Sequence, residues 1–265
     1  MSTRTEIFDL PSGAKIEFRG LTLKEENLLA SARGRKQETA LDRVLSACVV
    51  EVHDPGPYKN LGQSPDWDKM LQGDRFVAMV KLRVISYREG EEYSFRAQCP
   101  DCGARSEQTV NLNTELPITP LSEEARAAMS SEEPFTIEIA GKTVTFSLSY
   151  GSHAKRFEKL REQNPKRPMA AALRSRILDV EDLERRDIMN WLDGEAGGFD
   201  GLTSDEAEDL RDALDQVDCG IDTEVEVECP KCWSSFALSL PFDDGFFLPR
   251  RGQRKRKEKR RLGAD

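Results

Sequence analysis

The chain has 265 residues, a formal net charge of −9, and 38% hydrophobic and 33% charged residues. No Gly-x-y repeat or long heptad run is present, which excludes a fibre, and no run approaches the roughly 20 apolar residues that a membrane-spanning helix needs. Residues 1–10 (MSTRTEIFDL) carry no apolar run of signal-peptide type, so cytosolic synthesis and no membrane partner are expected.

From the N-terminus, Ala14 to Phe18 reads as a strand entering a helix near Thr22. Thr22 and Glu25 fit a capping box, and Leu28, Leu29 and Ala32 supply an apolar face. Leu41 to Val50 reads as a second helix, residues 54–66 (DPGPYKNLGQSPD) as a loop, and Asp74 to Tyr87 as a third helix facing inward through Phe76, Met79, Val80 and Leu82. Gly90 suits a left-handed helix stop. Tyr93, Phe95 and Ala97 then alternate with polar residues as a half-buried strand into Cys99-Pro-Asp-Cys102, followed by a second strand at Glu107 to Leu112 and the step Leu116-Pro117.

Beyond Thr119 to Pro134, with a short helix expected at Ser122 to Met129, the series recurs. Val144 to Leu148 reads as a strand, Ser152 as the cap of a helix through Phe157 and Leu160, and Ala170 to Val180 as a helix. Residues 194–201 (GEAGGFDG) form a loop, and Ser204 to Val217 a helix with Ala207, Leu210, Ala213, Leu214 and Val217 inward. Gly220, which like Gly90 suits a left-handed helix stop, precedes a strand through Thr223, Val225 and Val227 into Cys229-Pro-Lys-Cys232, then Ser235 to Leu240 and Leu240-Pro241. In both copies the glycine stands nine residues before the first cysteine, and upstream Gly13 and Phe18 align with Gly141 and Phe146. A repeat on this scale predicts a duplicated supersecondary plan. The expected fold class is α+β, internally duplicated, with two pseudo-twofold-related halves, each of strand or hairpin, helices and a CPxC zinc-knuckle hairpin. The expected boundaries are 1–118 for the first half, 119–134 for the connector, 135–249 for the second half and 250–265 for a basic, disordered tail.

The two CPxC turns carry the chemistry. In a reducing cytosol such pairs read as metal ligands before disulfides. One tight turn aims two sulfurs at one ion, and zinc takes four tetrahedral ligands. Twofold-related hairpins can meet and share the ion, so Cys99, Cys102, Cys229 and Cys232 are the expected ligands of one structural zinc ion (Zn2+) per chain. Four thiolates leave no position for water or substrate, so the site is structural. Cys48 sits in an apolar run and reads as a buried small hydrophobe; Cys219, at a helix end beside Gly220, reads as a free thiol.

Catalysis finds no constellation. The two histidines are His53, in an Asp-Pro turn, and His153, near the start of a charged helix. The carboxylates Asp205, Glu206, Glu208, Asp209 and Asp212 fall on what reads as a solvated helix face, and no GxGxxG, Walker or HExxH motif is present. The chain is not expected to be an enzyme.

Charge is distributed unevenly. Arg250 to Asp265 holds nine basic and two acidic residues, net +7, leaving −16 on residues 1–249. The segment Arg250 to Arg261 is suited to an acidic protein surface or to nucleic-acid phosphates. Just before it, Phe246 and Phe247 suit either a cap on the chain's own core or an anchor to a partner.

The opening Leu10-Pro11-Ser12-Gly13, Lys15-Ile16-Glu17-Phe18-Arg19 and Leu21-Thr22-Leu23-Lys24-Glu25-Glu26-Asn27-Leu28-Leu29 resembles that of baseplate or baseplate-hub proteins of contractile-tailed bacteriophages. The CPxC hairpin ending Leu240-Pro241-Phe242, followed by Phe246-Phe247, resembles the close of the same family. The resemblance covers both ends and the central CPDC turn. It implies a virion or tail-assembly component, in the host cytoplasm during assembly and then in the virion tail. The partners implied are other baseplate, hub, tube or tape-measure proteins. The competing expectation is a zinc-ribbon nucleic-acid-binding regulator using the basic tail.

Overall fold

The structure is a computed structural model that describes residues 4–32, 35–242 and 246. The basic segment Arg250 to Arg261, and Phe247, lie outside the described residues. The fold is α+β. It opens with a hairpin, β1 (Thr5–Asp9) and β2 (Lys15–Arg19), followed by helices α1 (Leu23–Ser31) and α2 (Arg35–Cys48). Strand β3 (Val49–Asp54) adds to β2, giving an antiparallel sheet in the order β1-β2-β3. Phe8, Ile16 and Phe18 point from it into the core, where the Phe8 and Phe18 rings stack with centroids 4.7 Å apart. Helix α3 (Gln72–Ser86) crosses beneath and leads to the hairpin β4 (Glu92–Gln98) and β5 (Arg105–Asn111).

Short strand β6 (Ile118–Thr119) and helix α4 (Glu123–Ser131) follow. Then come β7 (Phe135–Ile139), β8 (Lys142–Phe146), α5 (Gly151–Gln163), α6 (Pro168–Arg176) and β9 (Ile177–Val180), with a second three-stranded antiparallel sheet, β7-β8-β9. Helices α7 (Ile188–Asp193) and α8 (Ser204–Gln216), strand β10 (Gly220–Ile221) and the hairpin β11 (Glu224–Glu228) and β12 (Ser235–Ser239) complete the described chain.

The capping box at Thr22 forms: the Thr22 N–H donates to the Glu25 carboxylate at 2.9 Å. The connector helix is α4, with Ser122 accepting from the Ala125 N–H at 3.1 Å. Several expectations need correction. The second helix stops at Cys48 instead of Val50, because the β-branched run Val49-Val50-Glu51-Val52 pairs with β2 instead. The helix expected to reach Val180 stops at Arg176 for the same reason, since Ile177 to Val180 pairs with β8. Helix α5 is capped at Tyr150, not Ser152: the Tyr150 N–H donates to His153 Nδ1 at 3.1 Å. Gly90 is not a left-handed stop. It is glycine because a Cβ there would lie 2.4 Å from the Val84 carbonyl oxygen. Gly220, with φ of 156°, lies within β10 instead of ending a helix.

Three larger cores result. One lies under β1-β2-β3 against α2 and α3, and one under β7-β8-β9 against α6, α7 and α8. The third holds Met79 and Val80 of α3 together with Tyr93, Phe95, Val225 and Val227 of the two CPxC hairpins. Phe246 joins this third core, fully buried, with its ring 5.2 Å from that of Tyr93 and its carbonyl accepting from Arg83 at 2.6 Å. Of the two roles open to it in the sequence, it takes the cap on the chain's own core.

Segments distant in sequence meet at the start of α3. The Gln72 N–H donates to the Ser149 carbonyl at 2.7 Å, and Gly151 N–H to the Met70 carbonyl at 2.8 Å. Gly73 is pressed onto the backbone of Cys219, so that a Cβ would lie 2.0 Å from its carbonyl oxygen. Strands β6 and β10 pair antiparallel beside this contact.

Candidate metal centre

The alternation in each CPxC hairpin decides where its turn points. Tyr93, Phe95 and Ala97 of β4 and Val225 and Val227 of β11 are buried in one shared core. Anchoring both strands to that core brings both turns to the same end of it. Each turn closes in the same way. Cys99 N–H donates to the Ala104 carbonyl at 2.9 Å and Gly103 N–H to the Cys99 carbonyl at 3.0 Å. Cys229 N–H donates to the Ser234 carbonyl at 2.9 Å and Trp233 N–H to the Cys229 carbonyl at 2.9 Å. The residue after the second cysteine is left-handed in both, with φ of 67° at Gly103 and 63° at Trp233. The turns are also bonded across: Gln108 Nε2 donates to the Glu228 carbonyl at 3.0 Å, and the Ser234 hydroxyl to the Asp101 carboxylate.

The four expected ligands come together. Cys99, Cys102, Cys229 and Cys232 place their sulfurs within 4.8 Å of one another. Cys99 Sγ lies 3.6 Å from Cys232 Sγ, and Cys102 Sγ lies 3.7 Å from Cys229 Sγ. A tetrahedron with metal–sulfur bonds of about 2.3 Å has edges of about 3.8 Å. A disulfide would bring two sulfurs to about 2.05 Å, and all six cysteines are free. The donor set therefore fits a tetrahedral thiophilic cation and leaves no fifth position defined by protein.

The electrostatics point the same way. The N–H groups of Cys232 and Lys231 favour the Cys229 thiolate and hold its pKa down to about 7. The Ser234 N–H favours the Cys232 thiolate too, but the surrounding sulfurs of Cys102, Cys229 and Cys99 outweigh it and push Cys232 up to about 12. Beside its neighbouring sulfurs, Cys232 thus resists ionisation by itself. A divalent cation reverses that balance.

The remaining cysteines stay out of the cluster. Cys48, the last residue of α2, is buried in the core under β1-β2-β3, and burial pushes its thiol up to about 11. Cys219 is also buried, and burial raises its pKa. His153 accepts the α5 cap bond, and burial, reinforced by Arg176 and Arg156, lowers it to about 4. His53 lies on β3 instead of in a turn, with Nε2 3.3 Å from Glu17. With Glu51 it forms an acidic cluster on the outer face of β2 and β3 that sequence reasoning missed. The missing signal was β3 itself, since strand pairing places Glu17 opposite Glu51.

Compared with known protein families, residues 2–241 match the family described as T4 bacteriophage base plate protein. No curated protein matches the chain. No solved structure matches it either.

Proposed function

The chain belongs to the T4 bacteriophage base plate protein family, and from that premise we propose that it is a non-enzymatic structural component of a contractile phage-like tail, placed in the baseplate or hub or acting in their assembly, with a zinc ion as its internal staple. Other baseplate, hub, tube or tape-measure proteins are its partners in this reading, in the host cytoplasm during assembly and in the tail afterwards.

The observation that carries the staple is the meeting of Cys99 and Cys102 with Cys229 and Cys232, from hairpins that stand more than a hundred residues apart, at spacings suited to a tetrahedron. Cys99, Cys102, Cys229 and Cys232 would hold the ion. A thiolate set favours zinc among the abundant divalent cations, and its binding energy would be folding energy, on the order of 10 kcal/mol. The same pattern supports an internal duplication, with residues 1–118 and 135–249 as two halves joined through 119–134. In each half a strand hairpin and, after two helices, a third strand make up a three-stranded sheet, and one helix in the first half or two in the second then precede a CPxC hairpin.

Metal analysis of the purified full chain tests the staple. Close to one zinc per chain is expected, and Cys232→Ser should lower the content to near zero and the melting temperature by more than 10 °C. Wild-type protein free of zinc, with unchanged melting after chelation, would overturn it. Stable complexes with purified tail proteins of the same particle, insensitive to nuclease, test the baseplate role. Binding to nucleic acid alone would favour the regulator instead.

A further inference from the structure

The two CPxC turns share one hydrogen-bond pattern and one left-handed position, yet they fill that position differently. Gly103 adopts φ of 67° with open space around it. Trp233 adopts φ of 63°, where any side chain meets a steric cost that glycine avoids. The indole is not used to fill a core: Trp233 is 72% exposed, while Trp67 and Trp191 are buried. A strained backbone carrying an exposed aromatic is an expense to the fold, and such sites cluster where a protein binds something.

The hairpin that carries Trp233 differs from its counterpart in charge as well. On β4 and β5 the outward Arg96 stands opposite the outward Glu107. On β11 the outward residues are Glu224, Glu226 and Glu228, and those opposite them are Ser239, Ala237 and Ser235. Among the described residues, no ion pair engages these three glutamates. One hairpin thus presents an apolar knob and an unneutralised acidic stripe.

We propose that the β11–β12 hairpin is a docking surface for another protein of the baseplate, whose matching face is an apolar socket for Trp233 rimmed by lysine or arginine side chains. The stripe repels nucleic acid and anionic lipid and draws a basic protein surface. The proposal rests on the baseplate reading given above.

The test uses the zinc-loaded full chain and individually purified baseplate, hub and tube proteins of the same particle. Because Trp233 is the exposed indole of three, acrylamide quenching follows it directly. One of these proteins should protect the indole from quencher. Trp233→Gly should retain zinc and melting temperature, as Gly103 makes the same turn, while weakening that complex about thirtyfold or more. Replacing Glu226 and Glu228 with Lys should slow association about tenfold at low salt and less at high salt. Equal affinity for wild type and Trp233→Gly would overturn the docking surface while leaving the baseplate reading intact. Failure of the wild type to bind any of these proteins would overturn both. Loss of zinc in Trp233→Gly, an indole already shielded in the free chain, or protection by duplex DNA instead of protein would each overturn the docking surface.

Discussion

Glu25 offers a charge effect that can be isolated from packing. Its side chain is only 3% exposed. Both carboxylate oxygens face the Arg19 guanidinium, at 3.0 and 3.3 Å, and one also accepts from the Thr22 N–H at 2.9 Å. Burial alone pushes this carboxyl up, but the Arg19 and Thr22 hydrogen bonds outweigh it and hold the pKa down to about 2. A carboxyl lowered from 4.5 to about 2 adds about 3 kcal/mol to native stability. Arg19 is 26% exposed, so solvent screening reduces this to about 2 kcal/mol. Because the folded pKa is depressed, the contribution is present above the unfolded value of 4.5 and is lost as pH falls towards 2. Glu25→Gln keeps an acceptor for the Thr22 N–H and, like the protonated acid, loses the charge together with one of the two acceptors facing Arg19. Urea unfolding of wild type and variant should therefore differ by about 2 kcal/mol at pH 7, with the difference vanishing between pH 4.5 and 2. Both proteins contain the cysteine cluster, so any acid loss of metal cancels in the comparison. A difference that stays constant down to pH 2.5 would refute the assignment to charge.

Two further substitutions probe the junction at the start of α3. Gly73→Ala places a methyl group 2.0 Å from the Cys219 carbonyl oxygen, with backbone on both sides. It should cost at least about 3 kcal/mol, a fall of roughly 6–12 °C in melting temperature, whereas Gly103→Ala, in open space but left-handed, should cost about 1 kcal/mol. Asp74 is fully buried and accepts from the Ser12 N–H at 2.8 Å, the Ser12 hydroxyl, and the Tyr58 hydroxyl at 2.6 Å. Asp74→Ala strands those donors and should cost about 3–5 kcal/mol in urea unfolding, well above Ser12→Ala.

What could be read from the amino acids depended on how local the cause was. Strands β4, β5, β11 and β12 were legible because period-two alternation and a CPxC turn are contained within about twenty residues. Helices α3 and α8 were legible to within two residues because their apolar spacing is carried by their own side chains. Strands β3 and β9 were not, because each follows its helix without a break and only pairing with a distant strand ends the helix. The glycines misled for a similar reason. Gly90 answers to the neighbouring carbonyl groups of Arg83 and Val84, and Gly220 to its place in β10, not to the turn conformation that glycine usually marks. The Asp74 cluster spans 62 residues to Ser12 and leaves no pattern at either end. The cysteine cluster spans more, yet it was legible, because each half of it is a local motif with the same chemical demand for a second pair.

That contrast bears on why a thiolate cluster belongs at this place in the fold. The CPxC hairpins are two-stranded, and a two-stranded hairpin is marginal in water without something to pack on. Here α3 covers one face of both, and their turns project beyond it. Among the described residues, polar contacts such as Gln108 to Glu228 and Ser234 to Asp101 link the hairpins at the turns. Such surface bonds contribute about 1 kcal/mol each. A cation shared by four sulfurs would add roughly ten times that at the end where the core gives least. It would also hold rigid the turn from which Trp233 projects, and an anchor set on a rigid support loses less conformational freedom when its partner binds.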